Sequence, residues 1–176
     1  MKKNKNDDFS EIVNIHLKPV YNFIYRLVGS AKDAEDITQE TFFKAWKNIK
    51  TYRPDENFKT WIFTIARNTA IDFMRKKKNL VFSDFENAEG DNVLIDTLAD
   101  PKHSAEKIIR KIENKKLAEK ILNKLSPVYR EILLLKYVQD LTFDEIGKVL
   151  KKPLHTVKSQ HRRAMLFIKK TFDAPK

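Results

Sequence analysis

The sequence predicts an all-α protein in which two small helical domains are joined by an acidic linker, the second domain carrying a helix-turn-helix. Three observations favour this fold. Apolar residues recur at three- and four-residue steps, as on amphipathic helices. Only three of the 176 residues are glycine, which disfavours a turn-rich β fold. A segment rich in acids and free of bases separates two basic parts of the chain.

The first domain is expected over residues 7–79 and contains three helices. Periodic apolar residues from Phe9 to Leu27 indicate the first helix. Gly29 is placed to end that helix, and Ser30 is placed to cap the next one. The second and third helices are expected over residues 31–50 and 58–78, on either side of a turn at Pro54.

The linker is expected over residues 80–103 and the second domain over residues 104–172. The linker acids are Asp84, Glu86, Glu89, Asp91, Asp96 and Asp100, with no lysine or arginine between Val81 and Pro101. Ser126 and Pro127 form a cap followed by proline at the first helical position, and Thr142 with Glu145 forms a capping box. The predicted helices cover residues 104–124, 127–138, 143–150 and 154–170.

Composition narrows the classes of function. The net charge of +11 and pI near 9.7 favour a polyanionic partner, although a lysine-rich proteome would give the same balance. The absence of cysteine excludes disulfides, thiolate catalysis and cysteine-zinc sites. No signal peptide or membrane span is visible, so we expect a cytoplasmic protein that does not insert into membranes. We also expect that the protein needs no cofactor.

The C-terminal helix pair carries the first functional motif. A helix of about eight residues, a tight turn and a longer basic helix form the helix-turn-helix pattern. No acid occurs between Lys151 and Lys170, where seven bases lie. The residues expected to face outward, and to contact phosphates and base edges in a major groove, are Thr156, Lys158, Ser159, Gln160, Arg162 and Arg163. The alternative is a helical hairpin with a solvated lysine face.

The second predicted helix carries an acidic and amide face. Acids in a first turn suit the helix dipole, and this alone would explain Asp33. The face continues past the first turn through Glu35, Asp36, Gln39 and Glu40. In a basic protein such a face suits a basic protein partner and not DNA. The core side of this helix is expected to hold Ile37, Phe42, Trp46 and Ile49.

The third predicted helix has two lines of residues at helical spacing. One is an apolar core stripe consisting of Phe58, Ile62, Ile65, Ala66, Thr69 and Phe73. The other consists of Trp61, Asn68, Asp72 and Arg75, with Arg67 and Lys76–Lys78 adding charge. Aromatic residues among bases suit unpaired nucleotides, and the preceding loop from Tyr52 to Asn57 could receive an extruded base. A core role for Trp61 is the alternative.

Taken together, the two blocks resemble a bacterial RNA polymerase sigma factor of the extracytoplasmic-function group. The first block is similar to sigma region two, through Asp33–Phe42, Phe58–Ile62 and Ala66–Arg75. The second is similar to region four, through Leu125–Glu131, Leu141–Ile146 and Thr156–Ser159. The resemblance covers nearly the whole chain, in the order and at the spacing of the family.

The resemblance implies a role for each block. Core polymerase would be bound at the clamp helices of its largest subunit by Asp33, Glu35, Asp36, Gln39, Glu40 and Phe42. The minus-ten element would be recognised and melted by Tyr52, Asn57, Lys59, Trp61, Arg67, Asn68, Asp72, Arg75 and Lys76. The minus-thirty-five duplex would be read by Thr142, His155, Thr156, Lys158, Ser159, Gln160, Arg162 and Arg163.

Further partners follow from the same resemblance. The linker would thread toward the polymerase active site, where its acids would mimic nucleic acid. The second domain would meet the flap of the second-largest polymerase subunit, and an anti-sigma factor is the expected inhibitor. Some positions depart from the family pattern: His155 replaces a common glycine, Gln160 and His161 replace a common arginine and leucine, and Met165 replaces a frequent arginine. Because Gln160 suits adenine better than guanine, we expect a shifted minus-thirty-five preference.

Two other functions compete with this interpretation. A plain helix-turn-helix regulator would bind duplex DNA as a dimer, but it has no use for the acidic face or the Trp61 line. A metal-dependent nuclease would use Asp33, Glu35, Asp36 and Glu40 as ligands. Acids so close together on one helix mostly point apart, whereas metal catalysis needs carboxylates that converge on one cavity. The four histidines are not at zinc spacing.

Overall fold

The computed structural model describes residues 5–77 and 121–172. Within these ranges the chain divides into two compact units. The first comprises residues 5–77 together with 144–151, and the second comprises residues 121–143 and 152–172. The predicted boundaries at 7–79, 80–103 and 104–172 stay predictions. The linker and most of the helix expected over 104–124 lie outside the described residues.

Three helices form the bulk of the first unit. They are α1 (Lys5–Val28), α2 (Ala31–Asn48) and α3 (Phe58–Lys77), and a short 3-10 turn at Ile49–Thr51 follows α2. Gly29 ends α1 with a φ of +74°, a backbone conformation that residues with a Cβ rarely adopt. The Ser30 hydroxyl then accepts a hydrogen bond from the Asp33 amide at 3.3 Å, which caps α2 as predicted.

The three helices pack against one another around an apolar core. Val20, Phe23 and Ile24 of α1 are fully buried, as are Ile62 and Phe63 of α3. The rings of Phe23 and Phe63 meet edge to face, with centroids 5.2 Å apart. The α2 residues in this core include Ala34, Ile37 and Ala45. This packing fixes which faces of α2 and α3 reach solvent.

In the second part of the chain, α4 (Pro127–Leu133) continues into a π turn at Leu134–Val138. The π turn is defined by the Gln139 amide, which donates to the Leu134 carbonyl at 3.1 Å. After it, Asp140 has a φ of +59° and the chain changes direction. Two further helices follow, α5 (Phe143–Leu150) and α6 (Leu154–Phe172). The predicted order of helix, three-residue turn and helix is therefore present.

The core of the second unit joins three parts of its chain. Ile121 and Leu125 pack with Leu133 of α4 and with α6 residues Ala164, Met165 and Ile168. The Ser126 hydroxyl accepts from the Tyr129 amide at 3.5 Å, which confirms the predicted cap of α4. The Arg130 guanidinium donates to the Leu122 carbonyl at 2.8 Å, and burial lowers the pKa of Arg130. The apolar contacts hold α6 against α4, and the two hydrogen bonds stabilise the start of α4 and its contact with the preceding segment.

The all-helical prediction is confirmed, since no strand occurs in the ranges that the structure describes. One prediction about the core was wrong. Trp46 was expected on the core side of α2, but 44% of its surface is exposed. Its ring meets Phe9 of α1 edge to face at 5.1 Å, at the rim of the unit. Among the helices described, none is long and apolar enough to cross a bilayer.

Candidate protein and nucleic-acid interfaces

The exposed face of α2 is acidic over its first half. Glu35, Asp36, Gln39 and Glu40 are all exposed, as predicted. Asp33 is half-buried, and the Lys77 ammonium at the end of α3 lies 2.6 Å from its carboxylate. This hydrogen bond with Lys77 lowers the pKa of Asp33. Asp33 is therefore engaged within its own unit, whereas Asp36 lies at the centre of the exposed face.

Phe42 lies on the core side of α2, as the helical pattern predicted, and this conflicts with its second predicted role as a polymerase contact. Phe42 was predicted to bind the polymerase, but only 8% of its surface is exposed, because its side chain lies in the helical core. Phe43 was not predicted, and it is 51% exposed. It lies seven residues after Asp36, which is about two helical turns on the same face. The Lys47 ammonium covers its ring at 4.3 Å. Phe43 could have been predicted as part of the exposed face by counting two helical turns from Asp36.

The predicted nucleotide-binding line on α3 lies along one side of the helix. Trp61 and Asn68 are half-buried, and Asp72 and Arg75 are exposed. At about 100° per residue these four positions fall within roughly 60° of each other around the helix axis. Lys76, which is exposed, adjoins the line, but Lys59 and Arg67 lie more than about 100° away from Trp61. The structure thus separates those two predicted residues from the line.

An aromatic cluster surrounds Trp61 at the start of α3. The Tyr52 ring lies 5.6 Å from Trp61 and 5.2 Å from Phe58, and Phe58 lies 5.4 Å from Trp61. The Tyr52 hydroxyl donates to the Glu56 carbonyl at 2.9 Å, which closes the loop. The exposed Asn57 side chain accepts from the Lys59 amide at 3.0 Å. Trp61 is therefore neither fully buried nor isolated, and its ring borders the predicted loop.

His16 of α1 packs against the Phe58 ring of this cluster. Its imidazole lies 4.9 Å from the Phe58 ring. Burial, and then the charge of Lys59, lower the pKa of His16, so the neutral imidazole is favoured. This contact has no signature in the sequence, because His16 and Phe58 belong to different helices.

The basic face of α6 is open to solvent. His155, Lys158, Ser159, Arg162 and Arg163 are exposed, and Thr156 is half-buried. Thr142, exposed, immediately precedes α5. The opposite side of α6 is buried through Val157, Ala164 and Ile168. Helix α6 thus presents a row of hydrogen-bond donors about three turns long, on a helix of the diameter that a major groove accepts.

Gln160 lies at the edge of this face and has a fixed partner. The Lys152 ammonium donates to the Gln160 side-chain carbonyl at 3.2 Å. That contact orients the amide so that its nitrogen is left to donate outward. A second neighbour, His161, turns inward: its Nε2 lies 2.9 Å from the Tyr137 hydroxyl. Neither contact is visible in the sequence.

A metal-dependent nuclease would need several carboxylates or histidines that converge on one cavity. Within residues 5–77 and 121–172, no three histidine, aspartate or glutamate side chains lie close enough together to hold an ion. Two of the four acids required by the nuclease hypothesis have basic neighbours: Asp33 pairs with Lys77, and Glu40 lies 3.5 Å from the Lys44 ammonium. The described part of α2 therefore offers an acidic surface and not a converging carboxylate site.

Comparison with known proteins identifies two sigma-70 regions in this chain. Residues 12–80 match sigma-70 region 2, and residues 115–168 match sigma-70 region 4. The ECF RNA polymerase sigma factor SigW of Bacillus subtilis is 36% identical over 172 residues, covering 97% of this chain and 91% of SigW. SigM of the same organism, also an ECF RNA polymerase sigma factor, is 31% identical, covering 80% of each chain.

Solved structures share the fold. The sigma factor RpoE of Bartonella quintana, solved with the anti-sigma factor NepR, aligns with a TM-score of 0.67 at 22% identity, covering 96% of this chain and 99% of RpoE. CnrH, solved with the cytosolic domain of CnrY, aligns with a TM-score of 0.66 at 20% identity, covering 98% and 92%. With its two matched regions and its SigW-like sequence over almost its full length, the chain belongs to the ECF RNA polymerase sigma factors of the sigma-70 family.

Proposed function

We propose that this sigma factor binds core RNA polymerase and directs it to promoters through two DNA-reading surfaces, with no covalent chemistry of its own. The observation that carries this proposal is the contrast between two exposed helix faces. The α2 face is acidic and the α6 face is basic, and they lie on different compact units. One surface suits a basic protein and the other suits duplex DNA. The protein would act in the cytoplasm, where it meets polymerase.

The polymerase contact would centre on Asp36 and Phe43. An interface needs a desolvated apolar anchor within a polar rim. Phe43 offers the anchor, while Asp36, Gln39 and Glu40 offer the rim. The partner would be the clamp helices of the largest subunit. Asp33 would act indirectly, since its contact with Lys77 ties the start of α2 to the end of α3.

The minus-ten element would be bound along α3. Trp61 and Tyr52 offer stacking surfaces beside the loop, and Asn68, Asp72 and Arg75 continue the line toward the basic end of the helix. Stacking on aromatic rings stabilises unpaired bases by about 1–3 kcal/mol each, which offsets the cost of melting. Helix α6 would read the minus-thirty-five duplex, and the second unit would meet the flap of the second-largest polymerase subunit.

An anti-sigma factor is a proposed partner as well. RpoE of Bartonella quintana was solved with the anti-sigma factor NepR, and this chain shares its fold. The exposed apolar residues Phe43 and Trp46 lie on α2, next to the proposed polymerase contact. An inhibitor that covered them would compete directly with polymerase.

Run-off transcription tests the proposed function. Purified core polymerase, this protein and a promoter library should yield promoter-specific transcripts that depend on the protein. Binding of DNA without any binding of core polymerase would instead favour the plain helix-turn-helix regulator.

Charge reversal tests the docking face. Asp36→Lys, or Phe43→Ala, should weaken core polymerase binding at least tenfold, because each removes a central contact of the proposed interface. Glu11→Lys makes the same charge change at an exposed position of α1 and serves as the control. Pull-down of polymerase by Asp36→Lys at the wild-type level would count against this assignment.

The Lys152–Gln160 contact changes the expected base preference. A lone glutamine amide offers one donor and one acceptor, which match adenine. When Lys152 holds the Gln160 side-chain carbonyl, the two side chains together offer mainly hydrogen-bond donors. Donors match the two acceptors of guanine. Selection from a randomised minus-thirty-five library should recover guanine opposite Gln160, and Lys152→Ala should shift that position toward adenine. Recovery of adenine by the wild-type protein would refute the pairing argument.

A further inference from the structure

His161 occupies the inner side of the predicted DNA-reading helix. It lies in α6 between Gln160 and Arg162, two candidate DNA contacts, at a position where the family resemblance implies leucine. A leucine at this position could only pack. The imidazole adds a directional contact, because its Nε2 lies 2.9 Å from the Tyr137 hydroxyl.

Tyr137 belongs to the π turn that ends the α4 segment. Its ring lies 5.6 Å from the imidazole and packs against the core of the second unit. The core itself holds α6 through Ala164, Met165 and Ile168. Such apolar contacts determine which face of α6 turns toward the core, but they define its exact rotation less sharply than a hydrogen bond does, since the hydrophobic effect has no preferred direction. A hydrogen bond weakens steeply away from its preferred angle.

A second ring completes the arrangement. Phe143, the first residue of α5, meets the imidazole edge to face with centroids 4.9 Å apart. The Lys136 ammonium lies over the Phe143 ring, 5.2 Å from its centroid, and donates to the Leu141 carbonyl at 3.1 Å. His161 is thus held between the π turn and the start of the helix-turn-helix.

We propose that His161 is a positioning residue: through Tyr137 and Phe143 it sets the rotation of α6 and thereby the base selectivity of the minus-thirty-five reader. This inference rests on the proposed function of α6. Gln160 and Arg162 flank His161 in the chain, so a small rotation about the helix axis moves both relative to base edges. The neutral imidazole suits this role, because burial and the nearby Lys136 charge lower the pKa of His161.

The test compares promoter selectivity of the reconstituted holoenzyme. Tyr137→Phe removes one hydroxyl and keeps the ring, and His161→Leu keeps an apolar side chain. Each variant should lower the preference for the selected minus-thirty-five element over single-base mismatches by about two- to tenfold. This range is the change in an equilibrium constant that corresponds to the free energy of one hydrogen bond. The double variant should lose no more than His161→Leu alone, because that change already removes the bond that Tyr137→Phe removes.

Tyr129→Phe is the matched control, since Tyr129 packs against the same core and lies outside the His161 contact. Unchanged selectivity in Tyr137→Phe and His161→Leu, with wild-type transcription promoter-specific, would overturn the positioning role alone. Absence of promoter-specific transcription by the wild type would instead overturn the proposed function. If His161→Leu does not fold, Tyr137→Phe decides the question.

Discussion

At the scale of single residues, neighbours in the sequence have opposite environments. Phe42 is in the core while Phe43 is exposed, and Gln160 faces Lys152 while His161 faces Tyr137. Helical periodicity correctly predicted the exposed face of α6. It could not predict the partners of Gln160 and His161, because these depend on where a turn places residues eight or 24 positions away.

The pH dependence of stability offers a residue-scale prediction. Burial and Lys136 hold the folded-state pKa of His161 below the ordinary value of 6.5. The folded state therefore favours the neutral form, and this contribution to stability is present above pH 6.5. As the pH falls from about 6.5 through the folded-state pKa, the unfolded chain binds the proton first and that stability is lost.

Unfolding of the wild type and His161→Leu should be followed from pH 7.5 to 5 by calorimetry. The wild type should lose stability more steeply than the variant below pH 6.5. His16, whose pKa is also lowered, is present in both proteins and cancels in the comparison. His155→Gln, an exposed change on the same helix, is the control. Parallel pH curves for wild type and His161→Leu would rule out this contribution.

At the scale of elements, the predicted helices that fall within residues 5–77 and 127–172 begin close to their observed positions, because their end signals are local. Gly29, Ser30 and Ser126 act within three residues of themselves, so the sequence alone indicates the caps. The π turn was not predicted: residues 127–138 were expected to form one helix. Its extra backbone residue is stabilised by tertiary contacts of Tyr137 and by the turn at Asp140, and neither has a local signature.

Gly29→Ala tests the junction between α1 and α2. A Cβ at this position would meet no atom within 4 Å, so its cost comes from the backbone φ of +74° alone. We expect destabilisation of the first unit by about 1–2 kcal/mol. Gly29→Asn should cost less, since asparagine tolerates this conformation. Chemical denaturation monitored by circular dichroism gives both values, and equal losses for alanine and asparagine would contradict the backbone argument.

At the scale of the whole molecule, the two proposed surfaces would have complementary tasks. The net charge of +11 would attract DNA of any sequence, whereas the acidic α2 face would suit a basic protein. The similarity to SigW supports both tasks, because it spans 97% of this chain and therefore includes α2 and α6 together. Each DNA-reading surface alone is small. Polymerase would raise the effective concentration of one reader once the other is bound, so specificity should appear in the holoenzyme.

The salt dependence of holoenzyme binding to promoter DNA tests how α6 contributes to this whole. The logarithm of the binding constant should fall linearly with the logarithm of salt concentration, because lysine and arginine release counterions from phosphates. Lys158→Gln should reduce the magnitude of that slope by about 0.9, the effect of one lost phosphate contact. Lys169→Gln removes the same charge from the last turn of α6 and should leave the slope nearly unchanged. Equal reductions in both variants would show that α6 acts as a diffuse positive charge, whereas a reduction confined to Lys158→Gln would place the phosphate contact on the proposed reading face.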